Sequence, residues 1–303
     1  MESTDTAVRG AAGGTPRIGL ALGGGGARGV AHIVVLEAFD EMGIRPASIA
    51  GTSIGAIIGA AYAAGMSGAE LREYVLQLFR KRSDVLARLW RVRSTTRFTD
   101  ILAPALANPA QLNAERFLSI FMPEEVPEEF AGLKLPFTAI ASDFYGWSAV
   151  GLDTGDLRHA VAASMAIPML FRPVLVDNRV LVDGGITDPL PFGFVREHTD
   201  LVVAVDVVTG PRARKRRVPS PYDSVFGSTQ LLMQAVIAAK IAQRPPDILL
   251  RPNIAIFRVL DFLQARAILK AAQPIKDDLK RQLEAAMEQR NRTGSEGRAG
   301  LSS

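Results

Sequence analysis

Three glycine-bounded motifs place reactive or polar groups at fixed spacings. Gly51-Thr52-Ser53-Ile54-Gly55 is a G-x-S-x-G pattern. Small flanking residues there let a serine sit on a sharp strand-to-helix turn with its hydroxyl projecting outward. Alone, the pattern more often marks a turn serine capping a helix. One strand–helix unit earlier stands Gly23-Gly24-Gly25-Gly26-Ala27-Arg28-Gly29. Consecutive glycines let backbone N–H groups converge near a helix N-terminus, a site that stabilises a phosphate or a transient oxyanion. Gly24-x-Gly26-x-x-Gly29 also fits the dinucleotide fingerprint, but that needs an acidic residue ending the next strand, where Ala50-Gly51 stand. A P-loop needs Lys after Gly29, and Val30 is there. The third motif, Asp183-Gly184-Gly185, ends an apolar run and leaves a carboxylate at a strand terminus. It offers a base to Ser53; the plainer reading is an Asp-Gly turn.

A serine nucleophile needs a base. The chain has three histidines, His32, His159 and His198. His32 falls in the first helix and His159 near a helix start, where packed or solvent-facing roles are expected. Ser53, Asp183, His198 follows the Ser–acid–His order of α/β-hydrolases, so a triad is one alternative. His198, however, sits in the charged run Arg196-Glu197-His198-Thr199-Asp200, which reads as a solvated helix end.

The elements that must position these residues follow from periodicity. Strands are predicted at Ile18–Leu22, 48–50, 137–142, Ser148–Leu152, Val174–Val176, 180–182 and Leu201–Val205. Helices are predicted over 30–42, from the G-x-S-x-G turn to Ala64, 69–79 behind the capping box Ser67-x-x-Glu70, from Asn113 to Phe121, and 156–165. Alternating strands and helices with continuous apolar strands predict an α/β fold with helices on both faces of a mostly parallel sheet. The expected organisation is a flexible leader (1–15), a catalytic domain (16–210), a mostly helical C-terminal extension packed on it (211–292) and a disordered tail (293–303).

The chain has 303 residues, 48% hydrophobic and 22% charged, which excludes wholesale disorder. Its net charge of +4 is too small to argue for nucleic acid. With no cysteine, disulfide scaffolds, thiolate metal sites and a cysteine nucleophile are excluded. Three histidines do not make a His-rich metal centre, and Asp143 and Asp153 are single acids rather than a calcium site. No metal or cofactor is expected. Residues 47–68 carry no charge and match a spanning helix in length, but their Ala and Gly content suits a buried helix better. With no apolar signal segment in residues 1–17, a cytoplasmic protein that visits membranes peripherally is the expectation. Two basic stretches could meet anionic lipid. In residues 82–93, Leu86, Leu89, Trp90 and Val92 are interspersed with arginines, and Arg212-x-Arg214-Lys215-Arg216-Arg217 is a basic loop. Solvated surface is the plainer reading of both.

Taken in order, the three motifs resemble those of the patatin-like phospholipase family, and Ala163-Ser164-Met165-Ala166-Ile167-Pro168 resembles a segment upstream of the family's aspartate. The likeness spans residues 18–208. It implies a three-layer α/β/α patatin-type fold and a Ser53–Asp183 dyad instead of a triad. It also implies an oxyanion hole from Gly24, Gly25 and Gly26 with Arg28 in support, and Gly29, Gly51, Gly55, Gly184 and Gly185 as motif positions. The activity implied is hydrolysis of a phospholipid, lysophospholipid or other acyl ester through an acyl-enzyme, without cofactor. A lipid-binding protein that keeps this fold without turnover is the alternative from another class.

Overall fold

The structure, a computed structural model, describes residues 16–80, 112–197, 199–209, 218 and 221–299. His198 and the two basic stretches, 82–93 and 212–217, lie outside these.

Eight strands among the described residues form one sheet. They are β1 (Ile18–Leu22), β2 (Ser48–Thr52), β3 (Phe137–Asp143), β4 (Ser148–Leu152), β5 (Val174–Val176), β6 (Arg179–Asp183), β7 (Leu201–Val205) and β8 (Ile248–Leu250). The order is β5-β6-β3-β2-β1-β7-β8, with β4 paired to β3. The centre, β3-β2-β1-β7-β8, is parallel. The β3–β4, β3–β6 and β5–β6 pairs are antiparallel, so the sheet is mixed.

Side-chain alternation divides the core between the sheet's two faces. Ile18, Leu20 and Leu22 join Ile49, Val203 and Val205 in the larger cluster. Ala21, Ala50, Val202 and Ala204 face a smaller one with Leu190, Phe192, Val195 and Ile237. The larger cluster takes in α1 (His32–Glu41), α2 (Ile54–Ala63), α5 (Leu157–Ser164), α7 (Ala265–Ala272) and α8 (Ile275–Ala299). Every residue of α1 from His32 to Phe39 is buried, because α3 (Gly68–Leu78) and α8 pack on it and its side chains join those of the sheet in the larger cluster. The capping box at Ser67 and Glu70 opens α3, and Asn113 caps α4 (Ala114–Phe121) through its side chain. The uncharged stretch at 47–68 is β2 followed by the buried ten-residue α2, too short to span a bilayer.

Two expectations about the C-terminal part change. β8 adds a parallel strand beyond β7, and Leu279 and Leu283 of α8 are fully buried in the main core. The fold therefore continues past residue 210 instead of ending there. The tail expected to be disordered from residue 293 begins inside α8, which runs to Ala299. Between β7 and β8 lies α6 (Pro221–Gln243), whose Ser224–Gln243 segment is long and apolar enough, by length and composition, to cross a membrane.

Candidate active site

The partners of β3 bring Ser53 and Asp183 together. Along one edge, β3 pairs in parallel with β2 as far as Ile140 opposite Thr52. At the next residue the same edge is taken over by β6 running the other way, with Asp183 opposite Ala141. β2 and β6 thus meet end to end, C-terminus to C-terminus, one register step apart. Ser53 follows β2 directly and Asp183 is the last residue of β6. The Ser53 hydroxyl donates to Asp183 Oδ2 at 2.6 Å.

Both residues are held tightly. Ser53 has φ 55° and ψ −120°, a conformation unfavourable for any residue with a Cβ. Its N–H donates to Ser164 Oγ at 2.9 Å, and Ser164 Oγ donates onward to Ile140 O at 2.6 Å. Ser164 therefore ties the turn to β3. Asp183 N–H donates to Ala166 O, and Ser142 Oγ donates to Asp183 O. Oδ1 accepts the Gly185 N–H at 2.7 Å, which leaves Oδ2 aimed at the serine. Burial pushes the Asp183 carboxyl up to about 6, against the lowering effect of its bonds from Ser53 and Gly185. Gly184 has no space for a side chain at this junction: a Cβ there would stand 2.1 Å from Ile140 O.

The glycine loop comes off β1 and turns into a 3-10 helix, Gly26–Ala31. Gly26 has φ 61°, and a Cβ on it would lie 2.3 Å from Val259 O. Gly24, expected among the oxyanion donors, uses its N–H on Pro189 O at 2.9 Å. That leaves Gly25 and Gly26, whose N–H groups meet no acceptor among the described residues and which line the cavity with Ser53 and Asp183. Arg28 is buried, not an exposed helix-start arginine. Its Nε donates to Gly25 O and its Nη1 to Thr209 O, so it ties the loop to the segment that follows β7, while Nη2 has no partner among the described residues. Burial pulls its pKa down to about 10, opposed by the charge of Asp206. Gly51 packs against the backbone of Gly55, Gly55 against the Leu22 carbonyl at the end of β1, and Gly29 against Ile54.

The two described histidines, His32 and His159, stand elsewhere. His32 is fully buried with Nε2 bonded to Gly23 O at 2.8 Å, and burial pulls its pKa down to about 4, so it is neutral and props the glycine loop. His159 pairs with Glu115 at 2.6 Å and with Leu175 O. Ser164 is not legible as a site residue in the sequence: it lies in the segment 163–168, but nothing there signals that its hydroxyl bonds to the Ser53 turn.

A family model described as patatin-like phospholipase matches residues 20–196. The chain belongs to the patatin-like phospholipase family. An uncharacterized NTE family protein of Mycobacterium bovis is 36% identical over 215 residues, 71% of this chain and 54% of the relative. Patatin-like phospholipase domain-containing protein 7 of Rattus norvegicus is 32% identical over 194 residues, 63% of this chain and 13% of that one. The chain thus spans about half the length of the first of these patatin-like relatives and a small part of the second. Among solved structures, VipD from Legionella pneumophila aligns with a TM-score of 0.46 and 15% identity, covering 89% of this chain and 67% of VipD. Among the described residues no group of three His, Asp or Glu side chains is arranged to hold a metal ion.

Proposed function

We propose that the chain is a serine acyl-ester hydrolase acting on lipid esters, with Ser53 as nucleophile and Asp183 as general base. The observation that carries the reading is the 2.6 Å bond from the Ser53 hydroxyl to a buried carboxylate, made from a strained turn. Family membership supports lipid esters as the substrate class.

In this reading Ser53 Oγ attacks the ester carbonyl carbon while its proton passes to Asp183 Oδ2. The negative charge developing on the carbonyl oxygen is met by the N–H groups of Gly25 and Gly26. One such donor is commonly worth about 2.7–4 kcal/mol. Collapse of the tetrahedral species breaks the bond to the alcohol, which leaves with the proton from Asp183. Water then attacks the acyl-enzyme, Asp183 takes its proton, and the fatty acid departs as the proton returns to Ser53. A carboxylate near its usual value of about 3.9 is a poor base for a hydroxyl. The rise to about 6 brings Asp183 closer to the task.

The test is covalent labelling of purified protein by a fluorophosphonate probe, together with ester hydrolysis by Ser53→Ala and Asp183→Asn. Labelling of the parent and loss of turnover in both variants are expected. A parent that neither labels nor hydrolyses any ester would overturn the reading in favour of a lipid-binding protein without turnover. His198→Ala is expected to keep near-parental rates, since the Ser53 hydroxyl bonds to Asp183 with no imidazole between them. An inactive, folded His198→Ala would replace the dyad with a triad.

A further inference from the structure

We propose that the outer face of α6 is a docking surface for an anionic phospholipid bilayer, seating the mouth of the Ser53 cavity on the membrane. The proposal rests on the hydrolase reading for its lipid partner.

Between residues 224 and 239 no side chain is ionisable. A surface helix in water puts charges on its open face, and a helix apolar all round is covered all round. Yet among the described residues α6 is covered on one side only. Ile237 is fully buried, while Val225, Leu231 and Leu232 are 47%, 59% and 68% exposed. A second apolar medium is needed for the outer face.

The inner face belongs to the active site. Phe226, Gln230 and Met233 line the cavity with Ser53 and Asp183, and the Met233 methyl lies 2.9 Å from where a Gly185 Cβ would stand. The open space beside the dyad is about 60 Å³. Ligand pockets run from roughly 300 Å³ upward, so an acyl chain needs the α6 side of the mouth to give way. Ile186 at this rim is itself 44% exposed, which continues the apolar surface off the helix.

Charge and anchoring favour a bilayer surface over a spanning helix. Five of the six residues 212–217, a few positions before α6 in the sequence, are Arg or Lys, which suits anionic headgroups. At the other end, Lys240 Nζ bonds inward to Asp188 and to Leu190 O, and Gln234 bonds to Val208 O. These bonds hold the C-terminal half of α6 flat against the protein.

The test uses the full chain with vesicles of phosphatidylcholine alone or with about one-third phosphatidylglycerol. Cosedimentation with the anionic vesicles is expected, and the double substitution Leu231→Glu, Leu232→Glu is expected to lower partitioning by about tenfold or more. Hydrolysis of a short soluble ester by that variant should stay within about twofold of the parent. Should the double variant fail to fold, Leu232→Trp provides a second reading, its emission shifting to the blue when anionic vesicles are added. Undiminished binding of the double variant, no blue shift, or retention of the chain in the bilayer after an alkaline carbonate wash overturns the proposal. So does a parent dimer that the double variant splits without any vesicle binding, since the occupant is then a second copy. Soluble-ester hydrolysis without vesicle capture sinks the docking surface alone. Vesicle capture without any hydrolysis sinks the hydrolase reading instead.

Discussion

A buried carboxylate that serves as a base must be ionised where ionisation costs most, and in the proposed hydrolase Asp183 carries both sides of that conflict. In the hydrolase reading kcat/KM requires the ionised form. The rate should therefore rise with pH through about 6 and fall roughly tenfold per unit below it, measured with a soluble ester. Stability should run the other way. The folded state binds the Asp183 proton more tightly than the unfolded chain, whose carboxyl titrates near 3.9. The associated stabilisation is present in full below about 4 and is lost as pH rises through about 6. Asp183→Asn should consequently melt above the parent at pH 8, by an amount on the order of 2–3 kcal/mol, with the difference gone near pH 4. Ser164 acts at the same scale without touching substrate. Truncation to Ala strands the Ser53 N–H and Ile140 O, two buried groups costing about 1–3 kcal/mol each when unpaired. A lower melting temperature and a fall in kcat of about tenfold or more, with KM little changed, are the expected outcomes in thermal and steady-state measurements. Ser53 and Asp183 are legible in the sequence because their motifs name them. Ser164 is not, since a serine's type says nothing of which backbone group it will meet.

Between elements, the decisive event is the change of neighbour along one edge of β3. The strands themselves are legible as short apolar runs bounded by turns, and Ile18–Leu22, Ser148–Leu152, Val174–Val176 and Leu201–Val205 fall where periodicity predicts. That β2 and β6 share an edge of β3 cannot be read from either run, because periodicity describes a strand's faces and not its neighbours. β8 was hidden for a related reason: three residues, Ile248–Leu250, carry too little period to stand out among helices. Gly184→Ala tests the junction. With a Cβ 2.1 Å from Ile140 O, the end of β6 must move, and an ångström of misplacement is enough to lose about a hundredfold in rate. Gly193→Ala, where a Cβ meets nothing within 4 Å, should leave the rate unchanged and serves as the control. Lys240 fixes α6 to the end of the fold that holds the site. Its replacement by Ala leaves Asp188 buried and unpaired, and since Lys240 itself is a quarter exposed, about 2 kcal/mol is expected in denaturant unfolding, below the range for fully buried pairs.

At the scale of the whole molecule, one sheet carries both the Ser53 turn and a C-terminal part that composition alone presents as an appendage. α8 is tied to α1 by Lys276, which reaches Glu37 at 3.0 Å and Glu41 at 2.6 Å, so the last helix braces the first. All the chemistry proposed here is done by side chains and backbone of this single fold. Exhaustive dialysis against a chelator should therefore leave ester hydrolysis unchanged; a loss restored by a divalent cation would show that an ion takes part.

The end-to-end meeting of β2 and β6 also has a consequence in time. Ser53 and Asp183 are 130 residues apart, and a ribosome adds roughly 5–20 residues per second, so the serine precedes its partner by roughly 6–26 s. Throughout that interval, and in any fragment cut before β6, the serine lacks the carboxylate that arms it in the proposed mechanism. If the chain hydrolyses lipid esters as proposed, a growing or broken chain carrying these motifs is harmless to the lipids around it, and reactivity appears only when the sheet is whole.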